Sequence, residues 1–88
     1  MKFEMYSDPS HSWLKVPINF LDTLKIKRRI SKYSYVKGDF VYLEEDCDFR
    51  VFVQAMQDEG RSFEIVEKHS NRMSRIRSYQ SYQSMFKE

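Results

Sequence analysis

The sequence predicts an α+β domain: a small, mostly antiparallel sheet with two helices on one face. Three features point to it. Short runs around Phe3 and Leu14 alternate apolar with polar residues, and two runs rich in Tyr, Val and Phe flank the turn Lys37-Gly38-Asp39. Phe49, Phe52, Val53 and Met56 recur at the spacing of one helix face. The 88 residues fit one domain. Folding at this size buries only about 60–65% of the unfolded surface, so a thin core must draw its area from few positions. Seven Phe, six Tyr and one Trp supply it.

Taken in order, Lys2 to Tyr6 reads as a first strand, with Phe3 and Met5 on one face. Ser7-Asp8-Pro9-Ser10 is turn chemistry, because Asp and Ser bond nearby backbone and Pro fixes φ. Ser12 to Val16 follows as a second strand, Leu14 and Val16 facing one way, Trp13 and Lys15 the other. Pro17 suits a first helical turn, and Ile18, Phe20, Leu21 and Leu24 place a short helix over Ile18 to Ile26.

Lys32 to Val36 and Phe40 to Glu44 form the clearest hairpin, Gly38 supplying the positive φ of a tight turn. Phe40-Val41-Tyr42-Leu43 is apolar on both faces, which predicts a central strand. The second helix opens with Asp46 as expected N-cap and closes at Gly60. Asp58 and Glu59 sit unfavourably at its negative end. Ser62 to Glu67 completes the order β-β-α-β-β-α-β. Residues 1–70 are thus the domain. Residues 71–88 read as a basic and aromatic tail, packed on the domain or partly disordered, because Met73, Ile76, Tyr79 and Tyr82 keep neither a helical nor a strand period.

Net charge is only +2, but the charges come in blocks: Lys25, Lys27, Arg28, Arg29 and Lys32 first, then Glu44, Glu45, Asp46 and Asp48, then Arg72, Arg75 and Arg77. Cys47 is the only cysteine, so no intrachain disulfide forms. The N-terminus lacks the apolar run of a signal peptide, and no stretch has the length of a membrane span. The cytoplasm is the expected compartment, without a membrane partner.

Candidate chemistry is sparse. A helix N-terminus acidifies the Cys47 thiol, whereas Glu44, Glu45, Asp46 and Asp48 oppose it, so no activated nucleophile is expected. The same acidic run lacks the Asp/Asn alternation and central Gly of a calcium loop. Asp8 and His11 share a loop and offer an acid–base pair, the basis of a small-enzyme or nucleotide-binding alternative, although a loop-stabilising hydrogen bond explains them as well. No cofactor and no metal centre are expected.

Arg72, Arg75, Arg77, Tyr79 and Tyr82 are the candidate partner-binding residues, since Arg and Tyr are enriched where interfaces concentrate their energy. Lys25, Lys27, Arg28, Arg29 and Lys32 are candidate nucleic-acid contacts, because cations neutralise phosphates while aromatic faces stack on unpaired bases. Truncating Arg75 and Arg77 together is expected to leave stability nearly unchanged.

Three segments carry a resemblance: Tyr6-Ser7-Asp8-Pro9-Ser10-His11-Ser12-Trp13-Leu14, Val41-Tyr42-Leu43-Glu44-Glu45-Asp46-Cys47-Asp48, and Ser74-Arg75-Ile76-Arg77-Ser78-Tyr79. Together they resemble a family of short proteins from phages and other bacterial mobile elements. The resemblance brings no activity with it. It implies a bacterial-host cytoplasm, where small accessory phage proteins commonly bind and inhibit host machinery. The leading expectation is therefore a non-enzymatic binding protein acting on a host protein or complex, with nucleic-acid binding as the alternative.

Overall fold

A computed structural model of the chain describes residues 1–82. Six strands form one sheet: β1 (Lys2–Ser7), β2 (Ser12–Pro17), β3 (Tyr35–Lys37), β4 (Phe40–Glu44), β5 (Glu64–His69) and β6 (Gln80–Ser81). Two helices, α1 (Ile18–Thr23) and α2 (Asp48–Asp58), follow β2 and β4. The spatial order is β5-β1-β2-β4-β3-β6, with β5 parallel to β1 and every other pair antiparallel. The α+β order read from the sequence holds, and β4 lies inside the sheet as its two apolar faces require.

Strand alternation sorts the side chains onto two faces. Phe3, Met5, Leu14, Val16, Val36, Val41 and Leu43 meet Leu21 of α1 and Phe52, Ala55 and Met56 of α2 in one core. Phe52 sits at its centre, fully buried, with the rings of Phe3, Phe20 and Phe63 within 5.2–6.2 Å. The opposite face carries Tyr6, Trp13, Tyr35, Phe40 and Tyr42. There the chain after β5 returns as a 3-10 turn at Arg75–Ser78, laying Ile76 and Tyr79 on the aromatic rings before pairing β6 with β3. The described part of the tail is thus packed on the domain.

Element boundaries differ from the sequence reading for identifiable reasons. The first helix ends three residues early, at Thr23, because Leu24 caps it and Lys25 turns left-handed with φ +60°. Ile26 N–H then donates to Leu21 O and Lys25 N–H to Asp22 O, the paired bonds of a Schellman closure. The second helix closes the same way, with Gly60 at φ +66° and Arg61 N–H on Met56 O. Lysine therefore occupies a conformation that glycine fills at the equivalent place.

Asp46 is not the N-cap: Cys47 holds that position and no side chain caps the helix. Asp48, 2% exposed, instead reaches across to residues 31–34. Its carboxylate accepts from Ser31 N–H, from the Ser31 hydroxyl at 2.7 Å and from the Ser34 hydroxyl. Ser34 Oγ in turn accepts Glu44 N–H at 2.9 Å. Those bonds keep residues 32–34 out of the ladder, so β3 starts at Tyr35. The strand expected over Ser62 to Glu67 is shifted to Glu64–His69 as β5, where Lys2 pairs with Glu64 and Ser7 with His69, and the two-residue β6 follows it in the tail. All six residues of β5 are exposed, as befits an edge.

Candidate functional site

The tail residues singled out by composition separate by role. Arg77 lies over the ring of Trp13, 5.3 Å from its centroid, and forks across Asp8, whose side chain is fully buried. That carboxylate also accepts from the backbone N–H groups of Ser10, His11 and Ser74. The Arg77 guanidinium, with these donors, holds the Asp8 carboxyl well below the usual carboxylate range. Asp8 therefore meets His11 through the backbone and is committed to Arg77, a loop-building arrangement.

Tyr82 is 3% exposed in the helix-side core, its hydroxyl donating to Lys27 O. Tyr79 is half-buried against Tyr42, ring centroids 5.2 Å apart. Arg72 and Arg75 remain exposed. Lys25, Arg28, Arg29 and Lys32 are exposed along the segment between α1 and β3, Lys27 is partly covered with Nζ 3.6 Å from Asp22, and Ser81 Oγ–H on Lys32 O joins this segment to β6.

A cationic stripe crosses the sheet face opposite the helices, and sequence reasoning missed it. Lys15 Nζ stands 4.3 Å above the Phe40 ring; Phe40 pairs with Lys37; and Lys37 Nζ stands 5.0 Å above Tyr79. Lys37 and Arg75 then line a shallow concavity of about 640 Å³ with Ser78, Tyr79 and Gln80, and no carboxylate among the described residues lines it. From the sequence Lys15 is expected to share a strand face with Trp13, and Lys37 to open the turn Lys37-Gly38-Asp39. Their convergence depends on the β2–β4–β3 register, which no local pattern encodes.

A second concavity, of about 290 Å³, opens beside the start of β2, lined by His11, Trp13, Tyr33, Tyr35, Glu44, Asp46, Cys47 and Arg77. Ligand atoms of His11, Glu44, Glu45 and Asp46 lie within 4.8 Å of one another, so these residues are able to hold a metal ion. Glu44 is buried and fixed by Asp46 and Cys47 N–H, each 3.0 Å from its Oε1. Local desolvation and the carboxylates of Glu44, Asp48 and Asp46 push the Cys47 thiol up, away from the reactive thiolate. The opposing effects weighed from sequence are resolved against activation.

The chain matches no protein-family model, no curated protein and no solved structure. Among the described residues no helix is long and apolar enough to cross a membrane.

Proposed function

We propose that the protein is a non-enzymatic binding module, and that its working surface is the aromatic and cationic sheet face opposite the helices, taking single-stranded nucleic acid. The observation that carries this reading is the concavity of Lys37, Arg75 and Tyr79, lined by no carboxylate among the described residues and continued by Lys15 on Phe40. Half-exposed rings offer stacking surfaces to unpaired bases, and the ammonium and guanidinium groups beside them suit phosphates spaced along one strand. The Ser81 hydroxyl donates to Lys32 O, which brings exposed Lys32, the last cation of the Lys25, Arg28, Arg29 and Lys32 block, to the β6 edge of the sheet.

The test is fluorescence anisotropy with a labelled single-stranded oligonucleotide across a salt series. Binding weakens as salt rises, and Lys37→Ala with Arg75→Ala lowers affinity about tenfold or more while flattening the salt slope. Salt-independent binding, or a double variant that binds like wild type, removes this reading.

A second reading, a host protein or complex as partner, is favoured by β5. Its outer edge is unpaired among the described residues, and Ile65 and Val66 are both 37% exposed, one on each face. Glu64 and Ser70 N–H groups point inward to Met1 O and Ser7 O, so those of Ile65 and Glu67 point outward. Strand addition would use them. Glu67→Pro removes one outward donor without touching the inner ladder. A bacterial protein captured by the wild type and lost with this variant supports strand addition, and capture that persists argues against it.

A further inference from the structure

We infer that the smaller concavity, between the turn before β2 and the turn joining β4 to α2, is a binding site for a divalent transition-metal ion, with His11, Glu44, Glu45 and Asp46 as its ligands. Four candidate ligand atoms within 4.8 Å of one another define the place. An acidic turn alone is ordinary. Two nitrogens of residues that line the same concavity make this one different: His11 Nδ1 and Trp13 Nε1 are both buried, and neither has a hydrogen-bond partner among the described residues.

Trp13 is only 2% exposed, so water does not freely satisfy its N–H, and buried polar atoms of this kind normally have a partner. His11 Nδ1 stands 4.0 Å from Glu45 Oε2. That is too long for a hydrogen bond and about 0.6 Å beyond the roughly 3.4 Å between two tetrahedral ligands each about 2.1 Å from one ion, a gap that rotation of these two part-exposed side chains closes on binding. A bound ion gives the imidazole nitrogen its partner. A water or hydroxide completing the coordination gives the indole N–H an acceptor.

The donor set selects the class of ion. One imidazole with carboxylates suits Zn²⁺, Mn²⁺ or Co²⁺, whereas Mg²⁺ and Ca²⁺ favour all-oxygen shells. Glu44 is held in place by two backbone N–H groups, the outer-shell support that fixes a ligating carboxylate. Arg77, the guanidinium among the lining residues, already has its charge matched by Asp8. The ion would tie the turn before β2 to the turn before α2, which otherwise meet through Glu45 N–H on Ser12 O at 3.1 Å.

Trp13 is the sole tryptophan and lines the site, so its emission reports occupancy directly. Chelator-stripped full-length protein is titrated with Zn²⁺ by calorimetry and by Trp13 fluorescence, with Mg²⁺ in parallel. The expected result is one Zn²⁺ per chain, a change in emission that saturates with it, and Mg²⁺ binding about tenfold weaker or more. His11→Gln and Asp46→Asn each lower Zn²⁺ affinity about tenfold or more, while His69→Gln, at the other histidine, leaves it unchanged. Neither the His11 nor the Asp46 side chain makes a hydrogen bond to the described residues, so both variants remain folded by circular dichroism. Zn²⁺ binding that survives His11→Gln, or a Trp13 signal that does not move with Zn²⁺, overturns the assignment.

Discussion

Arg77 clasps Asp8 with two parallel bonds, Nε to Oδ2 at 2.9 Å and Nη2 to Oδ1 at 3.1 Å, joining positions 69 apart in the chain. This one contact changes the meaning of the tail. Composition offered Arg75 and Arg77 as equivalent surface cations, yet their neighbours differ. Arg77 covers Trp13 and neutralises a fully buried carboxylate, whereas Arg75 is exposed at the rim of the cationic concavity.

The two arginines therefore part on truncation. Arg77→Ala strips a buried carboxylate of its counter-ion, and the melting temperature falls by roughly 10 °C or more. Arg75→Ala stays within about 0.5 kcal/mol of wild type, as surface substitutions usually do. Circular-dichroism melts of the two single variants decide the matter, and equal melts would show that the clasp does not hold the tail. The acid side follows from the same contact. Because the Asp8 pKa is depressed in the folded state, its stabilisation is present above the ordinary carboxylate range and lost as pH falls through the lowered folded value.

Phe52 is the keystone of the helix-side core, buried completely and ringed by Phe3, Phe20 and Phe63. Phe52→Ala should cost about 3–5 kcal/mol, the range for emptying an aromatic site that collapses only partly. Against a typical domain stability of about 5–15 kcal/mol, that loss is readable in a single denaturant titration. An unchanged midpoint would mean that α2 turns another face to the sheet.

Asp48 offers a different kind of failure. Its carboxylate organises residues 31–34 through Ser31 and Ser34, and Ser34 passes the bond on to β4. Asp48→Ala leaves the Ser31 N–H and two hydroxyls without their acceptor, each such group costing about 1–3 kcal/mol when buried. The expected loss is about 3 kcal/mol, whereas Asp46→Ala, which caps nothing, changes little. Urea midpoints of the two variants separate a latch between α2 and the loop before β3 from a simple acidic turn.

What the sequence disclosed was what local periodicity carries. Phe3 and Met5, Leu14 and Val16, and Phe52 and Met56 repeat with the period of their own element, so their faces were readable. The tail defeated the same method because its apolar residues serve two layers. Ile76 and Tyr79 lie on the aromatic face while Tyr82 crosses into the helix-side core, and residues bound for opposite sides share no period. Asp8 does the expected loop work on Ser10 and His11 N–H, but it is also filled by Arg77, 69 residues away, and Asp48, in sequence one of an acidic run, by Ser34, 14 residues away. The cationic stripe is of that sort too: Lys15 and Lys37 come together only once β4 has been placed between their strands.

Tyr82 gives the last test, at the alkaline end. Its phenol is pushed up to about 12 by burial and by the carboxylates of Asp22 and Asp48, and Tyr6 is pushed to about 12 chiefly by its hydrogen bond to Glu4. An acid whose folded pKa is raised holds its proton in the folded chain while the unfolded chain releases it. Their stabilisation is therefore fully present below pH 10, the ordinary tyrosine value, and is lost as pH climbs from there towards about 12. The wild type should begin to unfold within that window, far-ultraviolet circular dichroism falling as tyrosinate absorbance rises. Tyr82→Phe loses the bond to Lys27 O, so it is less stable at neutral pH by about 1 kcal/mol. The variant has one fewer proton to release, so its stability declines less between those pH values than that of the wild type. Parallel decline in the two proteins would show that Tyr82 titrates as freely folded as unfolded, and that its ring does not enter the core.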